Sequence, residues 1–156
     1  MSVLDAQAVI AALVGEPAAG EVEELLRGSG GAPRISAANV AEIVDVLVRF
    51  RSQGIERVEE RLDWLIAGGL EVTAVDDGIA RRAGAVRGRH YHARQRPISL
   101  ADCLALATAL ALGDVLATSD PHLLDTATAE GCRVRPLPDS RGLKHAVAPL
   151  PDVPRA

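Results

Sequence analysis

Four acidic residues stand where this chain turns from one apolar run to the next: Asp5, Glu42, Asp102 and Asp120. Asp5 directly follows Ser2-Val3-Leu4, and Glu42 lies early in a helical pattern within Asn39-Val-Ala-Glu42. Asp102 enters the first turn of Leu100 to Leu112, which is otherwise apolar except for Thr108, and Asp120 closes Val115-Leu-Ala-Thr118-Ser119-Asp120. Each acid has a plain structural reading as a helix cap, since Asp-Pro and Ser-x-x-Asp are good helix starts. If the four converge, capping is not enough. Two carboxylates ~4 Å apart repel by about 4 kcal/mol at an effective dielectric of ~20. They must then share protons or hold a cation. Oxygen ligands without His or Cys suit Mg²⁺ or Mn²⁺ rather than zinc. Such ions bind substrate phosphates, so metal-assisted phosphodiester hydrolysis is the chemistry this set would do.

The elements that must bring them together are short apolar strands alternating with helices. Ser2–Leu4, Arg34–Ser36, 70–75, 115–118 and 132–134 read as strands. The helices expected between them span 6–13, from Pro17, 37–51, 56–66, 77–88, 100–112 and the stretch after Asp120 to Thr128. Gly28–Gly31 reads as a turn. The alternation predicts an α/β fold of three layers, a short parallel sheet of about four or five strands covered by helices on both faces. In such sheets ligands bind beyond the carboxyl ends of the strands, where the strand order reverses. If the strands before Asp5 and Asp120 are neighbours, both acids face that crevice. The domain expected is 1–136. Residues 137–156 are Pro-rich, with little periodicity, and read as a C-terminal tail without an assigned role.

Composition narrows the function classes. At 156 residues, 48% hydrophobic and 24% charged, the chain is a single globular domain with a real core. A net charge of −4 excludes bulk electrostatic attraction to nucleic acid, and three aromatics are too few for a base-stacking platform. Cys103 and Cys132 lack metal-type spacing and read as reduced core thiols. No apolar run is long enough for a membrane span, and MSVLDAQAV lacks a basic signal-peptide start, so a cytoplasmic protein is expected.

Leu4-Asp5-Ala6, Asn39-x-x-Glu42, Ser99-Leu-Ala-Asp102-Cys-Leu-Ala-Leu-Ala and Ala117-Thr-Ser-Asp120 together resemble the sequence blocks of PIN-domain ribonucleases. The similarity is greatest to the VapC-type toxins of bacterial type II toxin–antitoxin pairs, and it covers about residues 1–136. The resemblance implies that Asp5, Glu42, Asp102 and Asp120 ligate Mg²⁺ or Mn²⁺ and activate water to cut RNA. It also implies that Thr118 or Ser119 orients the site and that Asn39 supports Glu42. Asp125 is a further candidate ligand, because some family members carry an extra acid near the fourth. A small antitoxin protein and a second copy of the chain are the implied partners. The rival reading is a catalytically silent PIN-like module that binds RNA or protein. A phosphatase of the haloacid-dehalogenase type would need Asp-x-Asp after the first strand, which Asp5-Ala-Gln7 lacks.

Two surfaces follow from the remaining residues. Arg81, Arg82, Arg87, Arg89, Arg94 and Arg96 form the one strongly basic run and could hold RNA phosphates, or else solvate a helix face or meet an acidic partner. The helical hairpin of residues 40–66 carries more apolar side chains than one core-facing stripe needs. Phe50, Trp64 and Leu47 are the candidates there for a partner interface, against ordinary burial in the core.

Overall fold

A strand of three or four residues is stable when neighbouring strands pair its backbone and helices cover both faces, and this chain is built from such short strands. The computed structural model describes residues 1–28 and 30–148, so Ser29 of the expected turn and the last eight residues of the expected tail lie outside it. The strands are β1 (Ser2–Leu4), β2 (Arg34–Ser36), β3 (Glu71–Thr73), β4 (Val115–Thr118) and β5 (Val134–Pro136), all parallel in the order β3-β2-β1-β4-β5. The order reverses between β1 and β4, whose register pairs Leu4 with Ala117. The crevice expected of such a sheet therefore opens after Leu4 and Thr118.

The helices are α1 (Ala6–Val14), α2 (Ala19–Arg27), α3 (Ala37–Asp45), α4 (Ile55–Ala67), α5 (Asp77–His90), α6 (Leu100–Leu112) and α7 (Pro121–Ala129). Successive strand residues point to opposite faces, and the core divides accordingly. Leu4, Ile35 and Ala117 pack with α1 to α4, while Val3 and Leu116 pack with α5 to α7. The two free cysteines, Cys103 and Cys132, are both buried, the second of these cores holding them. Gly113 ends α6 at φ 65°, a left-handed conformation that lets the chain turn straight into β4. No helix among the described residues is long and apolar enough to cross a membrane.

The elements depart from expectation where tertiary pairing overrides local pattern. At the sheet edge β3 keeps only the three residues that find partners on β2, although 70–75 all favour a strand. In β5 the start shifts two residues, because the Cys132 amide is spent on the Ala127 carbonyl (2.9 Å) in the turn that closes α7. Pro136 is tolerated since β5 is also an edge. The long helix expected over 37–51 is α-helical only to Asp45 and continues as a π turn over Val46–Phe50. That wider turn separates Phe50, 66% exposed, from Leu47, which is fully buried. Leu47 therefore offers no partner surface: it is packed in the core with Ile43, Val58 and Leu62. Trp64 on α4 is 77% exposed. α6 is buried along its middle but exposes Leu100 and Leu112 at its ends.

The chain beyond β5 does not leave the domain over its described length. Leu137 is fully buried and its amide bonds the Thr118 carbonyl (2.9 Å). Residues 139–143 then form a tight turn held by Asp139, which accepts from the amides of Arg141 (2.8 Å) and Leu143 (2.9 Å).

Candidate active site

Register places the first two acids. Leu4 pairs with Ala117, so the next residues, Asp5 and Thr118, stand side by side at the carboxyl ends of β1 and β4. Thr118 Oγ1 donates to Asp5 Oδ2, and the Ala8 amide donates to Asp5 Oδ1 (2.7 Å). The same Thr118 hydroxyl oxygen accepts from the Asp120 amide (3.0 Å). One hydroxyl thus fixes the positions of two acids.

The remaining carboxylates are each held by one oxygen. Asp102 and Ser99 form a reciprocal capping box: the Ser99 amide donates to Asp102 Oδ2 (2.7 Å) and the Asp102 amide to Ser99 Oγ (3.0 Å). Asp120 Oδ1 caps α7, accepting from the amides of His122 (2.7 Å) and Leu123 (3.3 Å). Asn39 reaches across the sheet edge, its Nδ2 donating to Glu42 Oε2 (3.4 Å) and to the Ala101 carbonyl (3.3 Å). Asn39 thereby ties the first turn of α3 to the first turn of α6. The opposition between cap and ligand falls away for Asp5, Asp102 and Asp120: capping aims one oxygen at the backbone and leaves the carboxylate rigid.

The four acids feel one another. Burial, above all, raises the Asp5 carboxyl to about 7, with the nearby charges of Asp102 and Asp120 adding to it against the hydrogen bonds from Thr118 and Ala8. Asp102 is raised by burial and by Asp120, and Glu42 by burial and by Asp102. Among the described residues no cation bears on any of these three. No three His, Cys, Asp or Glu side chains among the described residues close on a common point tightly enough to enclose an ion. The donor chemistry nevertheless fits a hard divalent cation: oxygen-only, negatively charged, uncompensated by protein cations, and pre-oriented by caps. Asn39 Oδ1, buried without a hydrogen-bond partner, is a further oxygen in this neighbourhood.

Other candidates lie elsewhere. Asp125 is paired with His145 (2.9 Å) on the returning C-terminal segment. Five residues past Asp120, it is not among the charges that bear on Asp5, Glu42 or Asp102. Ser119 lies between Thr118 and Asp120 and lines a cleft with Pro121, Asp139, Arg141 and residues 143 to 146. Much of the basic run is engaged internally. Arg81 pairs with Asp77 (2.8 Å), Arg89 is bidentate on Glu130 (2.8 Å), Arg87 stacks on Tyr91 (4.2 Å) and Arg96 contacts His90 (3.1 Å). Arg82 and Arg94 are exposed and form no ion pair among the described residues. Sequence reasoning missed the cations of the C-terminal segment, Arg141, Lys144 and His145, which border the site. They belong to no periodic pattern, so nothing short of the fold reveals them.

The sequence pattern of the PIN domain matches residues 2–129. No curated protein matches the chain. Among solved structures, the VapBC-1 complex of nontypeable Haemophilus influenzae shares 20% identity at a TM-score of 0.63, covering 86% of this chain and 96% of that one. VapBC2 from Rickettsia felis, bound to a DNA fragment of its promoter, shares 18% at 0.63, with the same coverages of 86% and 96%. VapC20 of Mycobacterium tuberculosis, described as a sarcin–ricin loop cleaving toxin, shares 15% at 0.59, covering 74% of this chain and 87% of that one. At these identities the likeness is one of fold.

Proposed function

The chain belongs to the PIN domain family, and from that premise we propose that it is a nuclease, specifically a Mg²⁺- or Mn²⁺-dependent endoribonuclease acting as the VapC-type toxin of a toxin–antitoxin pair. The observation that carries this reading is the set of four acids, Asp5, Glu42, Asp102 and Asp120, in which the charges of Asp102 and Asp120 bear on Asp5, that of Asp120 on Asp102, and that of Asp102 on Glu42. The similar folds of toxin–antitoxin proteins, one of them a sarcin–ricin loop cleaving toxin, support the same assignment.

A bound divalent ion would supply Lewis-acid stabilisation of charge on the phosphate and a water acidic enough to attack at neutral pH. The protein's part is positioning. Asp5, Glu42, Asp102 and Asp120 would hold the ion, Asp5 fixed by Thr118 and Glu42 steered by Asn39. Ser119, between Thr118 and Asp120, supports the orientation of the site. Arg82 and Arg94 are the members of the basic run left to meet RNA. The exposed Phe50 and Trp64, with Ile55 between them in sequence, form the seat of a small antitoxin. The protein works in the cytoplasm as a homodimer.

The test is cleavage of total cellular RNA by purified protein with Mn²⁺, Mg²⁺ or EDTA, beside Asp5→Asn and Asp102→Asn. Metal-dependent cutting lost in both variants is the expected result. Equal cutting by wild type and both variants overturns the mechanism.

A further inference from the structure

RNA is a polyanion, and the crevice proposed to cut it is lined with carboxylates. Something positive must therefore flank that crevice; in the basic run Arg81 and Arg89 pair with Asp77 and Glu130, while Arg82 and Arg94 stay exposed. A second set of cations, beside the acid Asp139, lines a cleft against Ser119, the residue before Asp120. The cleft measures about 290 Å³ and is lined by Ser119, Arg141, Lys144 and His145, among others. We propose that residues 139–146 form a seat for a backbone phosphate of the RNA strand next to the cleavage point, with Arg141 and Lys144 as its contacts. This rests on the nuclease reading above and adds where the strand runs.

The segment is held firmly enough to serve. Leu137 anchors its start in the core, the Asp139 turn shapes it, and His145 bonds Asp125 of α7. Its cations keep donors to spare. Arg141 uses Nε and Nη2 on Asp139 (3.1 and 2.8 Å) and is 76% exposed, which leaves Nη1 for a phosphate. Lys144 gives one contact to Glu21 (2.7 Å) and is half exposed, so two ammonium protons remain. Exposed ion pairs of this kind are weakly held and exchange readily for a phosphate. Both cations stand in the same cleft as Ser119, one residue from Asp120, so a strand whose phosphate sits there continues directly into the acidic crevice.

The experiment measures binding of a fluorescent single-stranded RNA by anisotropy in EDTA, where no cutting competes, between about 50 and 200 mM salt. Arg141→Ala/Lys144→Ala should raise Kd roughly ten-fold and flatten the slope of log Kd against log salt by about 1 to 2, the signature of lost phosphate contacts. Lys144→Arg should retain wild-type binding. Glu21→Gln frees Lys144 without removing it and should bind as well as wild type or better. Unchanged Kd and slope in the double variant overturn the proposal, as does a wild type that binds no RNA. If Glu21→Gln weakens binding as much as Lys144→Ala, the Lys144–Glu21 pair is only a strap and the proposal also fails. A wild type that binds in this pattern yet never cuts overturns the nuclease reading alone.

Discussion

Thr118 and Asp5 lie 113 residues apart in sequence and share a hydrogen bond at the point where the strand order reverses. The contact follows from one register, Leu4 on Ala117, and the hydroxyl also receives the Asp120 amide. Replacing Thr118 with Val keeps the shape and removes both roles. The expected result is a fall in kcat of roughly ten-fold or more, in line with loss of a group that positions a catalytic one. Thr118→Ser should keep most of the activity. If Thr118→Val cuts RNA at the wild-type rate, the hydroxyl positions nothing that matters.

The Asp5 carboxyl, raised by burial to about 7 from an ordinary 3.8, makes the metal-free protein sensitive to pH. Between these values the folded state binds a proton that the unfolded state has released. Stability therefore falls as pH rises through that window and levels off above it. Asp102 and Glu42 are raised as well, so they act in the same direction. In EDTA, the urea midpoint of the wild type should drop from about pH 4 to about pH 7, the ends of this range. Asp5→Asn should lessen that drop and gain on the order of a few kcal/mol at the alkaline end. Mn²⁺ needs ionised ligands, so it should raise the melting temperature more above neutrality than below it. Parallel curves for the wild type and Asp5→Asn would show that this carboxyl ionises normally.

Leu47 and Trp64 separate core from surface in the helical hairpin. Leu47 is fully buried, and Leu47→Ala should cost about 2–5 kcal/mol in denaturant unfolding. Trp64 is 77% exposed, and Trp64→Ser should change stability by less than about 0.5 kcal/mol. The same Trp64 change should weaken capture of the cognate antitoxin, measured by co-purification of the pair expressed together. Antitoxin held as tightly by Trp64→Ser as by wild type removes this face from the interface.

The contrast shows what the sequence could carry. The alternation of short apolar runs fixed the parallel sheet, and the position of each acid after a strand placed Asp5 and Asp120 together, because strand ends and first helical turns are local features. Asp102 was legible for the same reason, through its Ser99 cap. Leu47 was misjudged since the π turn at Val46–Phe50 has no local signal: it reassigns faces that an α-helical count places together. The C-terminal segment was opaque because irregular chain has no periodicity to read, and its place beside Ser119 depends on Leu137 finding the core.

Asp114, at the opposite end of β4 from the site, tests whether stability and activity are separable in this fold. It is 6% exposed and accepts from Arg34 Nη1 (2.8 Å), while Arg34 Nε donates to Glu71 (3.0 Å). Arg34 thus links the start of β2 to β3 on one side and to the turn before β4 on the other. Arg34→Leu leaves the buried Asp114 carboxylate without its guanidinium. Breaking a fully buried pair costs about 3–5 kcal/mol; because Arg34 is partly exposed, a loss of about 2 kcal/mol is expected. A double-mutant cycle with Asp114→Asn should return a coupling of about 1 kcal/mol or more, since Asp114 without the guanidinium keeps only the Met1 amino terminus (3.2 Å) as a cationic partner. Cleavage per folded molecule should stay at the wild-type level, because these residues sit at the amino ends of the strands and the acids at the carboxyl ends. A selective loss of kcat in Arg34→Leu, with stability unchanged, would mean that the two edges of the sheet communicate.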